Sequence, residues 1–269
     1  MRVRAQTKFV PLICENLCNL WLTYHAAGGI KIRVNPLHPC HPRSYHVALV
    51  LKHKFMLHTQ LDHLVITAPT LPAGIAYAEE TLGVPLQPGG THPRMGTHNA
   101  LLKLGESCYL EVIAINPELP APNCARWFEL DGLGRYGQPR LRHWVARTND
   151  IQSAQVLQKG WFGAIELMSR SYLNWLISIP PDGSLPLSGV CPTLIQWQSE
   201  PHPATMLRDE GCSLVRVEGY HSKAEKLQEV LDEINFEGAF QVHPLAFSAS
   251  PYLVAHLQTP KGICILDSR

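Results

Sequence analysis

The chain has 269 residues, 45 % of them hydrophobic, which is enough to bury a sizeable core and excludes wholesale disorder. Charged residues make up only 17 %, and 23 basic against 22 acidic side chains leave +1, so no bulk field attracts nucleic acid or an anionic membrane. No apolar run reaches the roughly 18 residues of a membrane span, and eight scattered cysteines make no disulfide framework. A soluble, cytoplasmic, globular protein is expected.

Residues 1–60 differ from the rest. They hold eight Lys or Arg, the single acid Glu15, six of 14 histidines and three of eight cysteines, and the residues beyond carry a net of −6. No period of 2 or 3.6 is sustained, and Asn35-Pro36-Leu37-His38-Pro39-Cys40-His41-Pro42 reads as irregular chain. Glu15, Asn16 and Asn19 interrupt the apolar run after Arg2, Arg4 and Lys8, which argues against a secretion signal. Cys14, Cys18, His25, Cys40 and His41 lack the spacing of a zinc site. Residues 1–55 are expected to be an extension outside the core, with folded chain from Met56.

From Leu61 the chain repeats one pattern. Leu61–Thr67 reads as a strand, Leu71–Leu82 as a helix ended by Gly83, and Val84–Leu86 as a short strand before a turn at Pro88-Gly89-Gly90. Thr97–Leu104 and Cys108–Asn116 form a hairpin across Gly105-Glu106-Ser107. The order recurs with a strand over Leu141–Thr148 and a helix from Asn149-Asp150 to about Lys159. Strands at Ala164–Met168, Leu173–Ile179 and Pro192–Gln198 complete this second pass. A weaker third pass has a strand at Cys212–Gly219 and an amphipathic helix over Ser222–Ile234. Its remaining strands fall near Gln241–Pro244, Tyr252–Leu257 and Gly262–Leu266.

Strand alternation puts His63 with Val65, and His143 holds the matching place in the second unit. Each unit also carries one polar residue in an otherwise apolar late strand, Glu111 in the first and Gln196 in the second. A lone strand histidine is commonly a hydrogen-bonded core residue, and a lone Glu commonly faces solvent at an edge. The matched placement in two successive units makes the four candidates for a site. Two imidazoles, a carboxylate and an amide oxygen can ligate a divalent ion and leave room for substrate. His98, in Gly96-Thr97-His98-Asn99, is a candidate general acid or base beside Glu111. His92 and His202, each before a proline, read as surface residues. Arg94, Arg135 and Arg147 are candidates for binding an anionic substrate.

The Leu-Asp-His-Leu-Val-Ile opening, the Arg-His-Trp-Val-Ala-Arg-Thr-Asn-Asp-Ile opening and the two late strands resemble the vicinal oxygen chelate superfamily. Met95-Gly96-Thr97-His98-Asn99-Ala100-Leu101-Leu102, Tyr-Leu-Glu-Val-Ile-Ala and Pro192-Thr193-Leu194-Ile195-Gln196-Trp197 are most similar to its glyoxalase-like group. The resemblance spans about residues 61–266. It implies an α+β fold of repeated βαβββ units, two of which curl a mixed sheet around a cleft, plus a third degenerate unit. Residues 56–200 would be the paired domain and 201–269 the third half-module, which carries Ser213 and Val254 near the ligand positions. It implies a divalent metal ion held by His63, Glu111, His143 and Gln196, with Glu111 or His98 moving a proton. The carboxylate and amide are exchanged between units relative to the epimerase-like pattern, which would relocate a catalytic base.

The function implied is a metal-dependent enzyme, of lyase, isomerase or oxygenase type, acting on a small oxygenated metabolite. The alternative is a non-catalytic module that sequesters a small molecule, with Trp127, Trp144, Trp175 and Trp197 lining the cleft. A homodimer is open to either. Gly132-Leu133-Gly134-Arg135-Tyr136-Gly137 has dinucleotide-loop spacing but no strand before it and Pro139 after it, so it reads as a flexible connector. Cys108, Cys191, Cys212 and Cys264 sit in or beside apolar strands and read as inert thiols.

Overall fold

The computed structural model describes residues 9–11, 20–25, 29–34, 57–134, 136–157 and 162–269. Chain contacts divide into two units, Met1–Met56 and Leu57–Arg269. In the first, β1 (Phe9–Pro11), β2 (Leu20–His25) and β3 (Gly29–Val34) form an antiparallel sheet in that order. The sequence shows no sustained alternation there, and these three strands are not expected from it. The Asn35–Pro42 run, Cys14, Cys18, Cys40, His41 and Arg135 lie outside the described residues, as do Lys159 and Gly160.

The second unit opens with β4 (Thr59–Thr67) and α1 (Leu71–Leu82). Thr70 caps the helix, its Oγ1 accepting from the Ala73 N–H at 3.3 Å, and Gly83 ends it at φ 75°. Next come β5 (Gln87–His92), β6 (Thr97–Gly105) and β7 (Cys108–Ile115). Pro88-Gly89-Gly90 lies inside β5 and not in a turn. The strand is at the sheet edge, where a proline without an N–H is tolerated, and its register slips between Pro88 and Gly90. The connector holds a 3₁₀ turn, Trp127–Glu129, and a short helix, α2 (Leu130–Leu133). Then follow β8 (Arg140–Thr148), α3 (Ile151–Leu157), β9 (Ala164–Arg170), β10 (Leu173–Ile179), β11 (Thr193–Trp197) and the short α4 (Pro203–Met206).

These strands make one sheet in the order β5-β6-β7-β4-β8-β11-β10-β9. In each βαβββ unit the last strand lies parallel beside the first, β7 on β4 and β11 on β8, while β4 and β8 meet antiparallel at the centre. The two units are thus related by a pseudo-twofold axis between β4 and β8. The sheet curls until its edges approach. Arg94, just past β5, donates to the Leu167 carbonyl at 2.7 Å and pairs with Glu166, both on β9. The expected curled mixed sheet of paired βαβββ units is present.

Alternation divides the side chains between two cores. Leu64, Ile66, Leu110, Val112, Trp144 and Leu194 face outward onto the helices. Val65, Ile113, Val145, Trp175, Ile177 and Ile195 line the concave side. The third unit covers the outer face. It comprises β12 (Ser213–His221), α5 (Ala224–Glu233), β13 (Phe236–Glu237), β14 (Phe240–Pro244), β15 (Tyr252–Thr259) and β16 (Gly262–Asp267). Its sheet runs β14-β12-β15-β16, so the first strand sits between the second and third and not beside the last. β13 leaves that sheet and pairs parallel with β4. Leu227, Val230 and Leu253 join the same core as Leu64 and Trp144. Trp144 stacks on Phe240 with ring centroids 4.3 Å apart and so lies in this outer core, away from the cleft that Trp127, Trp175 and Trp197 line. Among the described residues no helix is long and apolar enough to cross a membrane.

Candidate functional site

The concave face holds one polar network, and a bulge in β4 begins it. Leu61 pairs with Ala146 and His63 with Val145, which leaves Asp62 as the extra residue. Asp62 and His63 therefore both serve the cleft, although strict alternation would separate them. Asp62 is fully buried, and its Oδ1 lies 2.6 Å from His63 Nδ1. Its Oδ2 accepts from Trp197 Nε1 at 3.0 Å and lies 2.9 Å from His202 Nε2. Burial opposes the charge of Asp62, but the bonds from His202 and His63 together outweigh it and hold the carboxyl well below the usual range. His202 has its ring fixed from both sides, since Nδ1 accepts from the Ala204 N–H at 3.2 Å.

His63, pinned through Nδ1, presents Nε2 to Glu111 Oε2 at 3.6 Å. Its ring stacks on Tyr109 at 4.5 Å, and burial keeps that phenol protonated well above its ordinary range. Glu111 Oε1 accepts from Asn99 Nδ2 at 2.5 Å, and Asn99 Oδ1 accepts from Arg170 Nη1 at 2.9 Å. Arg170 Nη1 also lies 3.4 Å from His92 Nε2, and His92 Nδ1 lies 3.1 Å from Thr97 Oγ1. Burial, then the Arg170 charge, pushes His92 down to about 3, so its imidazole is neutral. Trp127, Phe128, Trp175 and Trp197 wall the cleft, which has a free volume of about 30 Å³. A larger cavity of about 790 Å³ opens at the connector; its Arg126 and Arg142 are paired with Asp131 and Glu129.

Of the residues singled out in the sequence, the structure brings His63 and Glu111 together. His143 is fully buried on the same concave side, but both ring nitrogens are engaged. Nδ1 lies 3.0 Å from the Gly189 carbonyl, while Nε2 accepts the Thr193 N–H at 3.0 Å and touches Thr193 Oγ1 at 2.9 Å. Burial pushes this imidazole down to about 3. Gln196 alternates with the cleft residues Ile195 and Trp197 and faces outward, where its Oε1 accepts the Ile151 N–H at the start of α3 at 2.9 Å. His98 alternates with Asn99 and likewise lies off the cleft face, its Nε2 buried and unpaired. His92 and His202, expected at the surface, belong to the network instead. Arg94 is spent on β9, and Arg147 bonds the Leu61 carbonyl and Gln60.

A model of the glyoxalase-like domain matches residues 61–234. The chain belongs to the glyoxalase-like domain family. A hypothetical protein from Staphylococcus aureus shares 14 % identity over 78 % of this chain and 84 % of its own, with a TM-score of 0.47. Methylmalonyl-CoA epimerase from Mycobacterium tuberculosis shares 18 % over 52 % and 88 %, with a TM-score of 0.34. A Streptomyces coelicolor methylmalonyl-CoA epimerase variant in complex with 2-nitronate-propionyl-CoA shares 19 % over 52 % and 97 %, at 0.37. No curated protein matches the chain. The resemblance carried by the sequence motifs thus holds at the level of family and fold.

That resemblance also implies a divalent ion, and the donor set can be tested against it. His63 Nε2 and Glu111 Oε2 offer two donors. His143 has no free lone pair, and Gln196 points to the other face. Among the described residues no three or more His, Cys, Asp or Glu side chains are grouped to hold an ion. The residues present do not fit a four-ligand centre built from His63, Glu111, His143 and Gln196.

Proposed function

We propose that this glyoxalase-like chain is an enzyme of lyase or isomerase type that moves a proton on a small oxygenated metabolite, with Glu111 and His63 as its catalytic pair. The observation that carries this reading is the facing of His63 Nε2 and Glu111 Oε2 at 3.6 Å in an aromatic-walled cleft, with buried Asp62 behind the imidazole. Asp62 accepts the Nδ1 proton and fixes the ring, so Nε2 is the nitrogen that meets substrate. Asn99 steadies Glu111 through one oxygen and leaves Oε2 toward the same space. A carbon acid lying against the pair gives its proton to Oε2 and becomes an enolate, and the Nε2 lone pair beside it can take that proton on. Return of the proton completes an isomerisation, or loss of a leaving group an elimination. The five described cysteines are all free thiols, which supports a reducing, cytoplasmic setting.

The aromatic walls favour a second reading, sequestration of a small molecule without chemistry. Deuterium uptake from D₂O, followed by NMR over a panel of small oxo and hydroxy compounds, separates the two. Wild type should exchange a proton next to a carbonyl, and Glu111→Gln and His63→Ala should each slow it by about 100-fold. Binding without exchange in the wild type would establish sequestration.

A further inference from the structure

We infer that Arg170 makes the cleft a site for a small carboxylate-bearing metabolite, holding its carboxylate while His63 and Glu111 face the neighbouring carbon. The inference deepens the proton-transfer reading and rests on it for the identity of the site. Arg170 ends β9 at one edge of the curled sheet and reaches across to β5 and β6. Space has been cleared for it: a Cβ on Gly90 would lie 3.1 Å from Arg170 Cδ, and one on Gly89 would lie 2.2 Å from Asn99 Oδ1. The guanidinium lines the cleft, yet the described ion pairs give it no carboxylate partner. Its two side-chain contacts, Asn99 Oδ1 and the neutral His92, are both uncharged and both engage Nη1. The other guanidinium nitrogens keep their donors for a ligand.

Asn99 explains why this cation stays available. It stands between Arg170 and Glu111, accepting from one and donating to the other. The amide fills the span between them, and no direct ion pair joins Arg170 to Glu111 among the described residues. With the amide there, the cation is left to take an anion and Glu111 to take a proton. An arginine in a water-poor cleft favours planar carboxylates through paired hydrogen bonds.

Calorimetric titration of the full chain with pyruvate, 2-oxobutyrate and lactate, each beside its methyl ester, tests the assignment. The wild type should bind at least one acid about tenfold or more tighter than its ester. Arg170→Gln should weaken acid binding by about the same factor and bring acid and ester level. Arg170→Lys, which keeps the charge without the fork, should lie between. Glu111→Gln should retain the acid preference. Equal binding of acids and esters by the wild type overturns the inference, and so does failure of every acid to bind. Acid binding by Arg170→Gln within about twofold of wild type overturns it too. The acid–ester contrast needs no variant, so a misfolded Arg170→Gln leaves the test intact. Proton exchange on neutral ketones with no acid preference removes the carboxylate assignment and leaves the His63–Glu111 pair standing. Acid binding through Arg170 without exchange does the reverse.

Discussion

Two fully buried residues of the central strands, Asp62 and His143, are held in opposite charge states. Asp62 is a buried anion that answers three donors, from His63, His202 and Trp197. An amide there offers one acceptor and brings two unwanted protons, so Asp62→Asn should destabilise by about 2–4 kcal/mol at pH 7. Because folding depresses the carboxyl, its stabilisation is complete above the ordinary value near 4 and fades as pH falls below it. Urea titrations at pH 7 and pH 3 should show the gap between wild type and variant narrowing in acid. His143 is the neutral counterpart, held down to about 3 against an ordinary 6.5. The unfolded chain takes the proton first, so this contribution is full above 6.5 and is lost between 6.5 and about 3. His143→Leu should cost about 1–3 kcal/mol at pH 8 by orphaning the Gly189 carbonyl and the Thr193 N–H. Its stability should also fall less steeply than wild type between pH 6.5 and pH 5. A wild-type slope retained in the variant would show that another group titrates there.

Elements were more legible than the site they build. The helix Leu71–Leu82 and the strand Leu173–Ile179 have in the structure the bounds their patterns predict, because a capping Thr and a terminal Gly, or turns on both sides, mark them locally. The Asp62 bulge was not legible: it comes from pairing with β8, and an extra residue leaves no trace in alternation. Asn99 and Arg170 meet only because the sheet curls β9 onto β6, a contact between residues 71 apart in the chain. Gly89-Gly90 was the one local sign of that approach, and as a dipeptide it reads equally as a turn. Gln196 could have been placed outward from the alternation of Thr193, Ile195 and Trp197. At helix scale, Gly74 sets how closely α1 lies on the sheet, since a Cβ there would come within 2.5 Å of Val112 Cγ1 and 2.7 Å of the Ala68 Cβ. Gly74→Ala trades a helix-propensity gain of up to about 1 kcal/mol for this overlap. It should be destabilising overall by about 1–2 kcal/mol, read as a lower melting temperature. A higher melting temperature would mean that α1 can lift away without loss.

In the whole folded unit, the third module is what covers the outer face of the curled sheet. The outer faces of β4, β7, β8 and β11 are apolar, and α1 and α3 leave part of them to be covered by α5, β14 and β15. The contact is specific as well as apolar: Trp144 on β8 stacks on Phe240 at 4.3 Å and meets Phe236 edge-on at 5.2 Å. Its indole N–H donates to the Val190 carbonyl at 2.8 Å, so the ring is fixed from within the paired units as well as by the third module. β13 adds a backbone tie by pairing Phe236 with Thr59. A core continuous across the interface predicts that the modules of residues 57–269 open together. A double-mutant cycle of Trp144→Leu and Phe240→Leu should give a coupling of about 0.5–1.5 kcal/mol. Hydrogen exchange in low denaturant should give amides of β8 and β15 the same opening free energy, near that of global unfolding. If β15 exchanges through an opening that leaves β8 protected, the third module is an appendage. The outer face of the sheet would then have to be stable without it.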